Sequence, residues 1–217
     1  MIDYYIGGDW GKDLTDEENN SKYFCIRGAD FPNVFDRNLS NIPARYTKER
    51  NLDKRKLRDG DIVLEISGGT KGRPVGRTIY MSKYLMKSSS LPFSYSNFCR
   101  LIRTSRIYNK YLFGYLTHIY STGQIEQYQV QSTGIANFQF NDFLEKEILV
   151  IPNNSVLAKF NEIISAIYDK KYNNENAVLQ TNPRHPAPQI DEWGGGGVGC
   201  GNSFARIYFG LFLHCFH

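Results

Sequence analysis

In several short stretches of the chain, every second residue belongs to the same set of side chains, a period of two that is typical of β-strands. They are Tyr23–Gly28, Ile62–Ser67 and Ser96–Arg103. The second stretch follows a turn signal, and Pro74–Met81 is expected to return beside it as the other strand of a hairpin with a long tip. The run EILVIP, Glu147–Pro152, is expected to form one more short strand.

Two later segments have helical spacing instead. Apolar residues recur three and four positions apart within Tyr108–Ile119, and Gly123 is the expected end of that helix. Over Ser155–Val178 the spacing is 3-4-3-4-3-4, the heptad pattern of a coiled coil, and Asn153–Ser155 can cap its start. The residues expected to face a partner helix are Leu157, Phe160, Ile164 and Ile167. A core helix packed on its own domain is the alternative.

These elements predict an α+β fold. Residues 1–152 are expected to form one domain of mixed and antiparallel strands with short helices, in which Asn33–Asp59 is a long loop. Residues 153–181 are expected to form a long helix of the coiled-coil type, for spacing or dimerisation. Residues 182–217, which contain a glycine run and three of the four histidines, are expected to be an unstructured tail.

Charge is distributed unevenly along the 217 residues. The net charge is only +4, but residues 66–125 contain nine Lys or Arg and no Asp or Glu. Residues 1–65 carry 11 bases and 13 acids, a net of −2. A local excess of cations favours polyanion binding, because each cation near a phosphate releases counterions. A basic, solvated face with no ligand is the alternative.

The cations expected to bind DNA lie on both sides of the predicted hairpin tip and beyond it. They are Lys71, Arg73, Arg77, Arg100, Arg103, Arg106 and Lys110. Glycines in the tip segment SGGTKGR allow the backbone to approach a ligand closely, and the neighbouring cations can meet phosphates or guanine edges. Surface solvation or a local salt bridge is the alternative for each of them.

Other chemistry has weaker signals. The four cysteines are scattered without a close pair, so no metal site is expected. Asp61 and Glu65 lie four apart in an alternating strand and share a face, which leaves a nuclease centre as an alternative function. No leader sequence and no run long enough to span a membrane is seen, and a reduced, cytoplasmic protein is expected.

Five motifs occur in a fixed order. They are GGDWGK (Gly7–Lys12), CIRGADF (Cys25–Phe31), KLRDGDIVLEISGGTKGRPVGR (Lys56–Arg77), SNF (Ser96–Phe98) and STGIANF (Ser132–Phe138). Together they resemble a target recognition domain of the specificity subunit of type I restriction-modification enzymes. The resemblance runs from about Tyr5 to Thr181. Trp10, Gly68, Gly69 and Gly134 match its motifs and are expected to be fold residues, not contacts.

The resemblance implies a role without catalysis. A specificity subunit has two recognition domains and two long helices, and each domain reads one half of a split site in double-stranded DNA. The expected partners are DNA, the methylation and restriction subunits, and a second recognition half or a self-dimer through the helix. No cofactor is expected on this chain, because S-adenosylmethionine, ATP and Mg²⁺ are bound by the partner subunits. A recognition half of a fused restriction-methylation protein and a remnant that no longer assembles are further alternatives.

The tail that starts NPRHPAPQIDEWGGGG at Asn182 departs from the family. Back-translated and read one base later, it is compatible with IRDTLLPKLMSGE, which is close to the usual end of the family's second helix. We therefore expect residues 182–217 to be an out-of-frame read. The repaired motif would make this domain the C-terminal one, and Met1 an internal start or a fragment boundary. Sequencing the coding DNA tests this expectation.

Overall fold

A computed structural model describes residues 1–68, 72–132 and 134–181. The chain divides into two compact units, Met1–Val150 and Ile151–His217. The described strands are β1 (Ile2–Gly7), β2 (Ser21–Ile26), β3 (Ala44–Thr47), β4 (Ile62–Glu65), β5 (Ser67–Gly68), β6 (Thr78–Tyr80), β7 (Phe93–Tyr95), β8 (Cys99–Thr104), β9 (Gln129–Ser132) and β10 (Ile135–Phe138). The α-helices are α1 (Phe31–Phe35), α2 (Glu49–Arg55), α3 (Lys83–Met86), α4 (Asn109–Ser121), α5 (Phe140–Lys146) and α6 (Asn154–Thr181). Mixed strands with a long helix confirm the α+β class.

A four-stranded antiparallel sheet in the order β1-β8-β4-β6 forms the centre of the first unit. Val63 of β4 lies between Ile79 of β6 and Leu101 of β8, and all three belong to the buried core. Ile62 and Ile102 point to the opposite face and are also fully buried. The sheet is therefore covered on both sides, which explains why three of the four residues of β4 are apolar and all four are buried.

Two smaller sheets flank the central one. β2 pairs with β3 in antiparallel and with β7 in parallel orientation, and Phe93 and Tyr95 of β7 share the core cluster of Val63. β10 pairs with β5 and with β9, both antiparallel. On the other side of the central sheet α4 contributes buried residues, and its Phe113 contacts Tyr80 of β6 at 5.6 Å between ring centroids.

The hairpin and both long helices agree with the sequence patterns. β4 pairs with β6 at Leu64 and Thr78, and β8 forms within the predicted Ser96–Arg103 stretch and extends it by one residue. α4 ends two residues before Gly123, which has a φ of +76°. In the second unit Asn153 caps α6, because its Oδ1 accepts from the amide of Val156 at 3.0 Å.

Two expectations about local structure are wrong. Asn33–Asp59 is not a loop, since it contains most of α1, all of β3 and all of α2. β3 has only four residues and is stabilised by its pairing with β2, which a local pattern cannot reveal. EILVIP is not a strand: the segment has no ladder partner, and Ile148 is 84% exposed.

Candidate nucleic-acid interface

Motifs that are far apart in the sequence meet around the start of β8. The amide of Gly8 donates to the carbonyl of Cys99 at 3.0 Å, and the amide of Ser96 donates to the carbonyl of Ile26 at 2.9 Å. These two bonds tie the GGDWGK, CIRGADF and SNF segments to one another. Gly8 admits no side chain here, because a Cβ atom would lie 2.0 Å from the Ser96 carbonyl oxygen.

The remaining motifs join the same assembly through Ile66, which follows β4. Its amide donates to the carbonyl of Phe98 at 2.9 Å, and its carbonyl accepts from the amide of Phe138 at 2.8 Å. The hydroxyl of Ser67 donates to Oδ1 of Asn137 at 2.8 Å. The SGG and STGIANF segments are therefore neighbouring strands of one small sheet. We call this meeting point of the five motifs the motif hub.

The matched glycines and Trp10 have structural surroundings. A Cβ atom on Gly68 would lie 3.4 Å from Oε1 of Glu65, and Gly134 has a φ of +87°. The guanidinium of Arg45 stacks over the Trp10 ring at 4.3 Å and donates to its carbonyl at 3.0 Å. That these residues serve the fold and do not contact a ligand stays a prediction, and Gly69 lies outside the described residues.

Arg77 is held in a buried ion pair at one end of β4. Its Nε donates to Oε2 of Glu65 at 2.8 Å, and its Nη2 donates to Oε1 of Glu65 and to the carbonyl of Gly28, each at 2.7 Å. Burial disfavours the charge on Arg77, but the hydrogen bonds and the charge of Glu65 outweigh it and raise the pKa of the guanidinium. The pair joins the β4–β6 hairpin to the CIRGADF segment, so Arg77 stabilises the fold whether or not it binds DNA.

Arg73 lies nearer the tip of the same hairpin. Its Nη2 is 3.8 Å from Oε1 of Glu65, and its side chain is 40% exposed. Glu65 already has two short bonds from Arg77, so the interaction with Arg73 is a weak, second one. Lys71, the other predicted cation of the tip, lies outside the described residues.

Arg103 forms the corresponding ion pair at the other end of β4. Its Nε and Nη2 donate to the two carboxylate oxygens of Asp61, both at 2.7 Å, and its Nη2 also reaches the carbonyl of Lys56 at 3.3 Å. These bonds to Asp61 raise the pKa of Arg103. Asp61 and Glu65 are four strand residues apart, or about 13 Å. The two arginines therefore mark two separate ends of the hairpin.

A cleft opens beside Asp61, with a cavity volume of about 340 Å³. Its lining residues are Arg58, Asp59, Gly60, Asp61, Arg103, Thr104, Ser105, Arg106 and Asn109. We call it the Asp61 cleft. The side chain of Arg106 is 89% exposed and only 4.0 Å from the carboxylate of Asp59. Lys110 is half-buried in the first turn of α4.

Arg100 differs from the other predicted arginines, because no carboxylate pairs with it among the described residues. Its guanidinium lies 4.4 Å from the ring centroid of Phe140 and 5.7 Å from that of Tyr5. Its Nε is buried and has no hydrogen-bond partner there. The aromatic rings hold this half-buried cation in place without neutralising it.

The sequence patterns overlooked three exposed cations. Lys54 is exposed in the last turn of α2, and Lys56 and Arg58 are exposed in the segment that follows this helix. They lie in the run KRKLR, a signal that averaging the charge over residues 1–65 conceals. α2 is held against β1 by Arg55, whose Nε donates to the carbonyl of Gly7 at 2.9 Å. The cationic surface at the Asp61 end is thus larger than the acid-free block alone indicates.

Asp61 and Glu65 do share one face of β4, the face of Val63, but each carboxylate is already bound by an arginine. Across the described ranges no group of three His, Cys, Asp or Glu side chains could hold a metal ion. The arrangement therefore offers a nuclease reading no specific support.

The four predicted partner-helix residues lie on one stripe of α6. Leu157, Phe160 and Ile164 are buried, and Ile167 is half-buried. Their part in binding a second helix stays a prediction. Between residues 1 and 181, none of the described helices is both long and apolar enough to cross a membrane.

Comparison with known proteins gives a match among solved structures. No model of a known protein family matches the chain, and no curated protein matches it. A solved structure described as "Crystal structure of Type-I restriction-modification system S subunit from M. genitalium" is 15% identical, with a TM-score of 0.49. The match covers 83% of this chain and 40% of that one. The chain is thus similar to a type I restriction-modification S subunit.

Proposed function

We propose that this chain recognises double-stranded DNA as a module of a type I restriction-modification specificity subunit, and that it is not itself an enzyme. The observation that carries the proposal is the motif hub. Segments spread from Gly7 to Phe138 resemble one family in their order, and hydrogen bonds join them around the base of a basic hairpin. A chance series of short matches has no reason to converge in space.

The proposed mechanism is attachment to phosphates together with readout of base edges. The hub and the buried pair of Glu65 with Arg77 make a rigid base for the hairpin tip. From that base Arg73 extends with a side chain that is 40% exposed, and Lys71 precedes it by two residues in the sequence. Phosphate contacts position a protein on the duplex, whereas base-edge contacts specify the sequence. We assign sequence readout to the tip.

Assembly with other subunits is the second part of the proposal. The chain spans 40% of the length of the solved S subunit with which it compares. A second recognition half, the methylation subunit and the restriction subunit would supply what a single half lacks, including S-adenosylmethionine, ATP and Mg²⁺. We propose that α6 carries the contact to a second helix, with Ile167 as its accessible apolar position.

Salt-dependent binding of the purified chain to duplex DNA tests the recognition role. Binding measured by fluorescence anisotropy between about 50 and 200 mM salt should weaken steeply, with a slope of about 0.9 in log–log form for each phosphate contact. Binding with no salt dependence would contradict the proposal. Cleavage of DNA on addition of Mg²⁺ would favour the nuclease alternative instead.

Methylome sequencing of the host with and without the intact gene tests the biological role. A split methylated motif that appears only with the gene is the expected result. If no such motif exists and the chain does not co-purify with a methylation subunit, it is a remnant that no longer assembles.

A further inference from the structure

We infer that the Asp61 cleft binds a phosphodiester group of the DNA backbone, with Arg58 and Arg106 as its contacts. The inference rests on the proposed function and adds a second attachment point to it, at the end of β4 opposite to the hairpin tip. It includes Arg58, which is not among the cations predicted to bind DNA, and it gives Arg106 a defined role.

The acidic groups of the cleft leave its cations available. Asp61 accepts both donors of Arg103 at 2.7 Å and the amide of Arg58 at 2.7 Å, so its charge is already satisfied. Asp59 is the other acid, and its 4.0 Å separation from Arg106 is the limit of an ion pair. With three arginines and two aspartates the cleft has a net charge of +1. An anion therefore gains more from this site than a cation does.

The side chains of Arg58 and Arg106 are free to reorient. Arg58 is exposed, and its side chain has no hydrogen bond or ion pair among the described residues. Arg106 is 89% exposed. Arg103, by contrast, is fixed in place by Asp61 and keeps the wall of the cleft rigid. A guanidinium that has no strong partner pays little to exchange water for a phosphate oxygen.

The start of α4 gives the cleft a second attraction for anions. Asn109, its first residue, lines the cleft, and this helix of 13 residues has no acid in its first turn and no side-chain cap. The positive end of the helix dipole is therefore not offset by a carboxylate of its own. Asn109 is 5% exposed, and its Oδ1 has no partner among the described residues. The side-chain amide of Asn109, which carries an NH₂ donor group, is part of the lining of the cleft.

A phosphate fits this site better than a base edge does. The donors are arginines on the rim and a helix terminus at the floor, and they are arranged around a concave space. Base edges are read by side chains that protrude into a groove of the duplex. We therefore expect the cleft to contribute affinity and register without sequence preference.

Removing the two rim arginines tests the inference. Arg58→Ala and Arg106→Ala should each weaken binding to duplex DNA about three- to tenfold and lower the salt slope by about 0.9, while the preferred sequence stays the same. The matched control is Lys146→Ala, which removes an exposed cation on α5 that lies outside the cleft and should change neither quantity. Thermal melting checks that all three variants are folded.

A variant that is expected to bind DNA more tightly completes the test, because a misfolded chain would not gain affinity. Asp59→Asn removes the acid that opposes a phosphate and keeps a residue suited to the turn, so it should tighten DNA binding about threefold. If wild-type chain binds DNA with a strong salt dependence but Arg58→Ala, Arg106→Ala and Asp59→Asn leave the slope and affinity unchanged, the cleft inference is wrong and the proposed function stands. If wild-type chain shows no salt-dependent binding, the proposed function fails first.

Discussion

The two ends of β4 each have a buried carboxylate–arginine ion pair, but the surroundings of the two pairs differ. At each end a buried carboxylate binds one arginine through two hydrogen bonds: Glu65, the last residue of β4, binds Arg77, and Asp61, which directly precedes β4, binds Arg103. At the Glu65 end the next cation, Arg73, shares the same carboxylate. At the Asp61 end Arg58 and Arg106 line an open cleft, and Arg106 lies 4.0 Å from the carboxylate of Asp59. Similar ion pairs therefore stand beside different surfaces, because burial and partners decide which of the neighbouring charges remain available.

Arg77→Ala should have the largest effect and would break the comparison at the Glu65 end. It leaves Glu65 buried without its partner, so the free energy of unfolding should fall by about 3–5 kcal/mol in urea or guanidinium titrations. A matched double variant, Glu65→Leu with Arg77→Met, should recover most of that loss, because it removes both charges. If Arg77→Ala keeps full stability and loses only DNA affinity, Arg77 is a contact residue and not a structural one.

Arg103→Ala should come next, with a loss of about 2–4 kcal/mol in the same titration. The expected cost is smaller because the abandoned Asp61 would keep the hydrogen bond from the amide of Arg58 at 2.7 Å and lines an open cleft, from which water can reach it. Asp61→Asn in the same background should restore part of the stability. A loss greater than that of Arg77→Ala would reverse the order of the two ends.

Substitution of two glycines allows the backbone at the two ends of the β4–β6 hairpin to be compared. Gly60 has a φ of +93°, and a Cβ atom there would lie 2.4 Å from Nδ2 of buried Asn109. Gly72 has a φ of +74° with nothing within 4 Å. Replacement by alanine should cost about 2–3 kcal/mol at Gly60 and about 1 kcal/mol at Gly72, measured by denaturation, because strain is common to both and displacement of Asn109 is not. Equal losses would show that Asn109 moves aside freely.

Arg73→Ala should have the smallest effect on stability, within about 0.5 kcal/mol, because its interaction with Glu65 is long and 40% of the side chain is exposed. DNA affinity should fall, and the salt slope should drop by about 0.9 if the contact is a phosphate. A change of preferred sequence with an unchanged slope would indicate a base-edge contact instead. Retention of both properties would remove Arg73 from the interface.

Strong local patterns predicted the elements that carry them. The hairpin of β4 and β6, the strand β8 and the helices α4 and α6 all follow periods that a single segment can display. β3 and the helices around it have no such period, since β3 depends on hydrogen bonds from β2. EILVIP has strand-like composition, but the fold provides no neighbouring strand for it. Pairing across the chain decided both cases.

The candidate site was predicted less completely than the fold. The block of residues 66–125 without acids was visible in the sequence. The acids that pair with Arg77 and Arg103, however, are Glu65 and Asp61, which precede this block in the sequence and meet the arginines only in the folded protein. The exposed Arg58 stands in a segment whose average charge is negative. A charge count along the chain cannot predict the ion pairs, because they form between neighbours in space, and averaging over residues 1–65 hides the local run KRKLR that contains Arg58.

By itself the sequence determined the α+β class, the order of the family-like motifs and the presence of a cation-rich hairpin, since each of these is written in local composition and spacing. Only the tertiary structure decided that the motifs meet in one hub, that two of the arginines are enclosed in ion pairs, and that Arg58 and Arg106 border an open cleft. The physical reason is that burial and hydrogen bonding depend on residues remote along the chain, and these determine whether a charge supports the fold or remains free for a ligand.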